Sequence, residues 1–239
     1  MIRRANIVAL LVIVLGTVMF AAPAAAQQQL SLNIGYFQLN GEGHRVPGDT
    51  IVENLFAPFP FALGYRVSDF NSATYGAEWL FPLGAFFEGG VGVNYYQKTV
   101  PSFYADLEDN VTGGDITQDL RLRTVPITAT FRWLPIGRRA AIQPYLGAGV
   151  AIIPWSYSER GDFADASFSV FSWEYKDSGT AVGPVVFGGV RVPVSRSVAL
   201  GGEIRYQHAN STLDPGVGFQ GTKIDLGGIT YQANFTFRF

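Results

Sequence analysis

The stretch Val198-Ala199-Leu200-Gly201-Gly202-Glu203-Ile204-Arg205-Tyr206-Gln207 decides how the chain is read. Leu200, Gly202, Ile204 and Tyr206 fall on one parity, and Gly201, Glu203, Arg205 and Gln207 on the other. A period of two belongs to an extended strand, whose successive side chains point to opposite faces. One face is apolar and the other sets an acid beside a base among glycines, so this strand separates two unlike surroundings.

The same alternation recurs outward from this stretch and marks eight candidate strands, over residues 30–39, 69–81, 85–100, 118–134, 141–157, 180–194, 198–211 and 222–239. Three short turns follow Phe81, Leu134 and Val194, the first read at Pro82-Leu83-Gly84. Four long segments, 40–68, 101–117, 158–179 and 212–221, alternate with them. In the fourth strand Leu120 and Leu122 fall on the parity opposite to Val125 and Ile127. A bulge near Thr124-Val125-Pro126 is therefore expected. The aromatic run Phe168, Val170, Phe171, Trp173 and Tyr175 is unusual for a loop and is read as an extension of the flanking strands rather than a binding surface.

Charged residues make up 15% of the chain, against roughly a quarter in a soluble domain. Yet after residue 26 no apolar run reaches the roughly 20 residues of a spanning helix. A membrane chain without such helices has to close its sheet on itself, because every backbone polar group in hydrocarbon must be satisfied internally. Short turns alternating with long loops are the pattern of a transmembrane up-and-down barrel. A soluble barrel would put the apolar face inward, leaving a glycine-rich, charge-poor surface for water. Aromatic residues near strand ends also favour the membrane. Trp79, Phe81 and Trp133 lie towards the short turns and Tyr95, Tyr157 and Tyr206 towards the loops, as two interfacial girdles would require. The fold expected is all-β, a membrane-spanning antiparallel barrel of eight strands, with both termini periplasmic and the long loops extracellular.

Arg3 and Arg4 precede an apolar run from Ile7 to Phe20, and Ala24-Ala25-Ala26 follows. This is the pattern of a cleaved signal peptide over residues 1–26, leaving 27–239 as one barrel domain. The chain has no cysteine, so neither disulfides nor lipoprotein acylation enter. With 17 Lys and Arg against 19 Asp and Glu, it lacks the basic field that nucleic acid requires.

Inward parity gathers Glu78, Glu88, Arg132, Arg191, Glu203 and Arg205. Counting back to the short turns places all six in one layer, with Arg191 expected to pair with Glu203 and Arg132 to lie beside Glu88. Such a cluster would plug a lumen that side chains can just fill. No cofactor or metal is expected: the acids Asp106, Glu108, Asp109 and Asp115 lack the EF-hand spacing.

The carboxyl-terminal run Tyr231-Gln232-Ala233-Asn234-Phe235-Thr236-Phe237-Arg238-Phe239 alternates aromatic with polar residues and finishes on phenylalanine. Together with Gln143-Pro144-Tyr145-Leu146-Gly147-Ala148-Gly149 and Gly201-Gly202-Glu203-Ile204-Arg205-Tyr206, it resembles the small eight-stranded outer-membrane barrels that include the outer membrane protein A and W types. The resemblance implies insertion into a bacterial outer membrane by the barrel-assembly machinery, with Tyr231, Phe235, Phe237 and Phe239 as the signal it reads. It also implies outer-membrane lipids as surroundings and a monomeric barrel. The expected role is non-enzymatic, structural or in surface interaction, with an extracellular ligand left open. Transport of small hydrophobic molecules is the alternative. A lipid A modifying hydrolase is the third reading, since Tyr206-Gln207-His208-Ala209-Asn210-Ser211 resembles the His-x-Ser arrangement of outer-membrane deacylases. Here Asn210 stands two after His208 and Ser211 falls on the other face, which does not support a proton relay.

Overall fold

The computed structural model describes residues 28–110 and 113–239, so the expected signal peptide and its cleavage before Gln27 lie outside the described residues. The strands are β1 (Gln29–Leu39), β2 (Ser72–Pro82), β3 (Phe87–Glu108), β4 (Asp115–Thr124), β5 (Ile127–Trp133), β6 (Gln143–Ala164), β7 (Val170–Pro193), β8 (Val198–Gln207), β9 (Asn210–Thr212), β10 (Lys223–Asp225) and β11 (Gly228–Arg238). Every neighbouring pair is antiparallel, and β1 pairs with both β2 and β11, which closes the sheet and leaves no free edge. β4 and β5 share one place between β3 and β6. The ring therefore has eight staves, and β9 and β10 form a separate ribbon at the loop end.

The expected bulge is absent. On β3, Tyr96 faces Thr124 and Val93 faces Ile127; on β6, Trp155 faces Thr124 and Ile152 faces Ile127. Both steps are three residues on each strand, so no residue is inserted. The ladder lapses at Val125-Pro126 because proline has no N–H to give. The Asn94 N–H donates to the Pro126 carbonyl, and the Val125 N–H to the Pro154 carbonyl, each at 2.9 Å, and these bonds carry the strand across. Leu120, Leu122, Thr124 and Thr128 all point inward. What changes along this strand is the chemistry of the interior, not the register.

Towards the short turns the inward residues are polar, among them Ser31, Asn33, Thr128, Thr130, Gln143, Asn234 and Thr236. Towards the loops they become apolar: Tyr96, Val100, Leu120, Leu122, Ile153, Trp155 and Tyr157. The segment between β1 and β2 folds back onto this second set, inserting Ile51, Leu63, Val67 and Phe70. It is a packed lid with a one-turn helix, Thr50–Glu53. Arg45 ties it down, pairing with Asp49 at 2.5 Å and donating to the Asp225 carbonyl at the end of β10 at 2.8 Å.

Two of the four expected long loops are mostly strand. β3, β6 and β7 run well past the residues at which the alternation was read to end, which shortens the connections to 109–114 and 165–169. Phe171, Trp173 and Tyr175 lie within β7, as strand extension requires. The last long strand starts at Gly228 rather than near residue 222, because Lys223–Asp225 pairs with β9 instead of joining the ring.

Outside, Leu146, Val150 and Ile152 on β6, Val182, Val186 and Val190 on β7 and Ile204 on β8 stand exposed in neighbouring rows. A continuous apolar belt of this size is a lipid-facing surface. Ile204 lies within it, whereas His208 lies two outward steps further towards the loops on the same face. In lipid bilayers Ile204→Arg should destabilise the barrel by about 2–4 kcal/mol, and His208→Arg by no more than about 1 kcal/mol. Equal costs in a denaturant titration would remove the depth dependence that this belt requires.

Candidate functional site: the charged lumen

Four of the inward charges form a closed ring of alternating sign. Arg132 pairs with Glu78 and, at 3.3 Å, with Glu203; Arg205 pairs with Glu203 at 2.9 Å and with Glu78 at 3.5 Å. Each carboxylate also accepts from neutral donors. The Thr130 hydroxyl donates to Glu78 at 2.7 Å; the Tyr145 hydroxyl and the Gln232 amide donate to Glu203 at 3.0 Å each. The guanidinium groups of Arg132 and Arg205 lie over the Phe187 ring, at 5.0 and 4.8 Å. That contact is favourable for cations removed from water. Space for the ring comes from glycine: a Cβ at Gly90 would stand 2.6 Å from a Glu78 oxygen, and one at Gly189 the same distance from the Tyr145 hydroxyl.

A second group lies nearer the short turns. Glu88 accepts from Arg191 at 2.8 Å, Arg138 at 3.2 Å and Gln29 at 3.0 Å. Gln143 bridges Arg191 and Arg238, accepting from them at 3.1 and 3.0 Å. All six charges expected inside are inward and at most 4% exposed. They do not form a single layer, and the expected partners differ. Arg191 meets Glu88 and not Glu203, because Glu203 stands opposite Gly189, two residues further from the turn. Arg132 stands directly across from Glu88 on the backbone, but its side chain reaches up to Glu78 and Glu203. The cause is the first turn. Pro82 pairs with Glu88, so the chain reverses over residues 83–86, and Glu78 lies opposite Gly92, four residues higher than Glu88.

Arg138, Arg238, Gln29, Gln143 and Tyr145 were not anticipated as members. Arg238 could have been found from the parity that turns Phe237 and Phe239 outward; Arg138 sits in a turn, where parity gives no direction. Tyr231, Phe235, Phe237 and Phe239 face outward, with Phe239 against Trp79 at 5.4 Å between ring centroids. Trp133, Tyr95 and Tyr206 are exposed on the outer face, and Trp79 and Phe81 half-buried there. Tyr157 is a correction: it is fully buried inside the barrel, on odd parity in a strand whose outward residues are even. At its height the interior is apolar and takes the ring in.

Above the charges, the lid and the upper strands close the loop end, and Glu159 lies within this core. One of its oxygens accepts from Asn54 of the lid at 2.6 Å and from the Tyr157 hydroxyl at 2.9 Å. Among the described residues no cation lies within ion-pairing distance, and burial pushes its pKa up to about 7. Between lid and charge ring the lumen leaves a cavity of about 20 Å³, lined in part by Thr74, Asn94, Thr124, Gln207 and Thr230. That is room for about one water molecule. Among the described residues no cluster of His, Cys, Asp or Glu could hold a metal. His208 faces outward, and Asn210 shares its face.

A closed antiparallel ring with an apolar outer belt and paired charges on its inner face defines an integral outer-membrane barrel. The chain belongs to the outer membrane protein beta-barrel domain family, whose profile matches residues 10–239. Among solved structures it is similar to the outer membrane protein OprG of Pseudomonas aeruginosa, at 12% identity and a TM-score of 0.52, covering 90% of this chain and 96% of that one. It is also similar to a major outer membrane protein of Thermus thermophilus, at 10% identity and a TM-score of 0.47, covering 90% and 100%. Outer membrane protein W of E. coli matches at 15% identity and a TM-score of 0.40, covering 91% and 100%. No curated protein matches the chain in sequence.

Burial of Glu159 should make the stability of the fold depend on pH. Its pKa is about 7 in the folded protein against 4.5 ordinarily, so the folded state holds the extra proton. The stabilisation is complete below about pH 4.5 and is lost as pH rises through about 7, a difference on the order of 3 kcal/mol. Glu159→Gln should unfold at the same temperature as the wild type at pH 5 and at a higher one at pH 8. Parallel pH profiles for the two proteins would show that Glu159 does not titrate in this window.

Proposed function

We propose that this is a non-enzymatic, closed outer-membrane barrel with a structural or surface-interaction role, and not a conduit. The observation that carries this reading is closure at two levels: the charge ring spans the lumen, and the lid fills the loop end with a core of its own. The cavity of about 20 Å³ between them is far smaller than the 300 Å³ or more typical of a small-molecule site. Transport of small hydrophobic molecules needs an apolar funnel open at the loop end, which is where Ile51, Val67 and Phe70 pack. Hydrolysis of lipid A needs a nucleophile beside the outward His208, and Asn210 holds that place.

The short turns and both ends of the strand ring face the periplasm in this reading, and the lid and long hairpins face outside. The outward Phe235, Phe237 and Phe239 are the signal read by the assembly machinery, after which they lie against lipid. The barrel works as a monomer surrounded by outer-membrane lipids, with no cofactor.

Planar-bilayer recording of the intact protein, with mass spectrometry of co-purified small molecules, tests the proposal. We expect no steady single-channel conductance and no apolar compound retained in stoichiometric amount. A steady, wide conductance would overturn the closed lumen, and a retained apolar ligand would favour transport.

A further inference from the structure

The outer wall carries a concentration of positive charge above the apolar belt on β4 and β7. On β5, β6 and β7 the belt ends with the row Ile127, Ile152 and Val182, which are cross-strand neighbours and exposed. Two outward steps higher, Arg123 faces Ser156, which faces Ser178; in the next row Arg121 faces Ser158, which faces Lys176. Arg121, Arg123, Lys176, Ser156 and Ser158 line a cleft of about 220 Å³, with Glu174 at its upper edge. Among the described residues none of these three cations lies within ion-pairing distance of a carboxylate. The row above neutralises itself, Asp119, Arg160 and Glu174 alternating in sign across the same strands. At comparable height β3 presents the uncharged Gln97 and Thr99 across from Arg123 and Arg121, and on the other side of the cleft the Asp214 N–H, beyond β8, donates to the Asp177 carboxylate of β7 at 2.8 Å.

The spacing fits a phosphate. Neighbouring strands lie about 4.8 Å apart and residues two apart on a strand about 7 Å, so the backbones of Arg121, Arg123 and Lys176 outline a triangle with sides of about 7–12 Å. Their long side chains can converge over the two serines, whose small hydroxyls leave the floor of the cleft open and offer further donors. The Gln97 side-chain oxygen, on β3, accepts from Arg121 at 2.8 Å and from the Tyr95 hydroxyl at 2.8 Å, so Arg121 exchanges this neutral partner for the phosphate when it turns towards the serines of β6. Guanidinium and ammonium groups just outside hydrocarbon are the chemistry that recognises lipid phosphate. The belt beneath, Ile127, Ile152 and Val182, is where the acyl chains of the same molecule would lie.

We propose that Arg121, Arg123 and Lys176, over Ser156 and Ser158, form a binding site for the phosphate of a lipid headgroup in the leaflet at the loop end. This assignment rests on the membrane-spanning barrel and not on whether the lumen conducts. The site holds one lipid in register on the wall and fixes the depth at which β4, β6 and β7 sit.

The test titrates the purified barrel in detergent micelles with lipid A, with lipid A stripped of its phosphates, with phosphatidylglycerol and with inorganic phosphate, and reads retained lipid by native mass spectrometry. The wild type should retain at least one of the two phosphorylated lipids, and whichever it prefers names the source of the phosphate. The triple variant Arg121→Ser, Arg123→Ser and Lys176→Ser should bind that lipid at least about tenfold more weakly, while Arg196→Ser, at a short turn, should leave binding unchanged. If the triple variant does not fold, Arg123→Ser and Lys176→Ser singly should each weaken retention severalfold. Equal retention by wild type and variants would overturn the site. So would equal binding of the dephosphorylated lipid, or binding of inorganic phosphate with neither lipid retained.

Discussion

Two arginines and two glutamates, Arg132, Arg205, Glu78 and Glu203, occupy a space enclosed by eight strands and hold one another in a ring. An eight-stranded barrel is just wide enough for side chains to fill it. Charges inside it have little water and must find their partners in the wall opposite, since an unpaired buried charge is strongly destabilising. Much of the lower interior follows from this. Gly90 and Gly189 are small because the ring and Tyr145 need their volume, Thr130, Tyr145 and Gln232 supply the remaining donors, and Phe187 lies under both guanidinium groups. The ring draws on β2, β5 and β8, with donors from β6 and β11, so its formation requires strands distant in sequence to be in register.

The upper interior solves the same problem of filling by other means. Above Thr124 and Thr128 the strands have left the apolar belt, and water would enter an open mouth. Leu120, Leu122, Ile153, Trp155 and Tyr157 turn inward there, and the lid supplies Ile51, Leu63, Val67 and Phe70 to complete a core. The barrel is thus inside out at one height and conventional at the next: apolar outside and polar inside within the membrane, apolar inside and charged outside beyond it. The same change brings Arg121, Arg123 and Lys176 to the outer wall where the belt stops.

The pleat made much of this legible in the sequence, because a period of two survives any change of surroundings. The facing of Glu203, Arg205, Ile204 and Tyr206 could be read directly. Heights could not be read, because they depend on where each turn reverses: a reversal over 83–86 instead of 82–84 moves Glu88 well below Glu78, and the β7–β8 turn sets Glu203 opposite Gly189 instead of Arg191. Leu120 and Leu122 imitate a slipped register because the interior changes from polar to apolar along their strand. Tyr157 has the residue type of a girdle but the parity of the interior, and at its height the parity decides. The lid was the least legible part, since Ile51, Val67 and Phe70 lie in a segment without periodicity and gain their meaning only from the apolar mouth they fill.

The most direct measurement of the account is a double-mutant cycle across the ring, with Glu78→Gln, Arg132→Gln and the pair compared in reversible unfolding from lipid bilayers. If the ring organises the lumen, each single change should cost about 3–5 kcal/mol. The double variant should then cost far less than the two added, because no charge is left without a partner. Additive losses, with no coupling between the two sites, would contradict the claim that these charges hold the barrel's interior together.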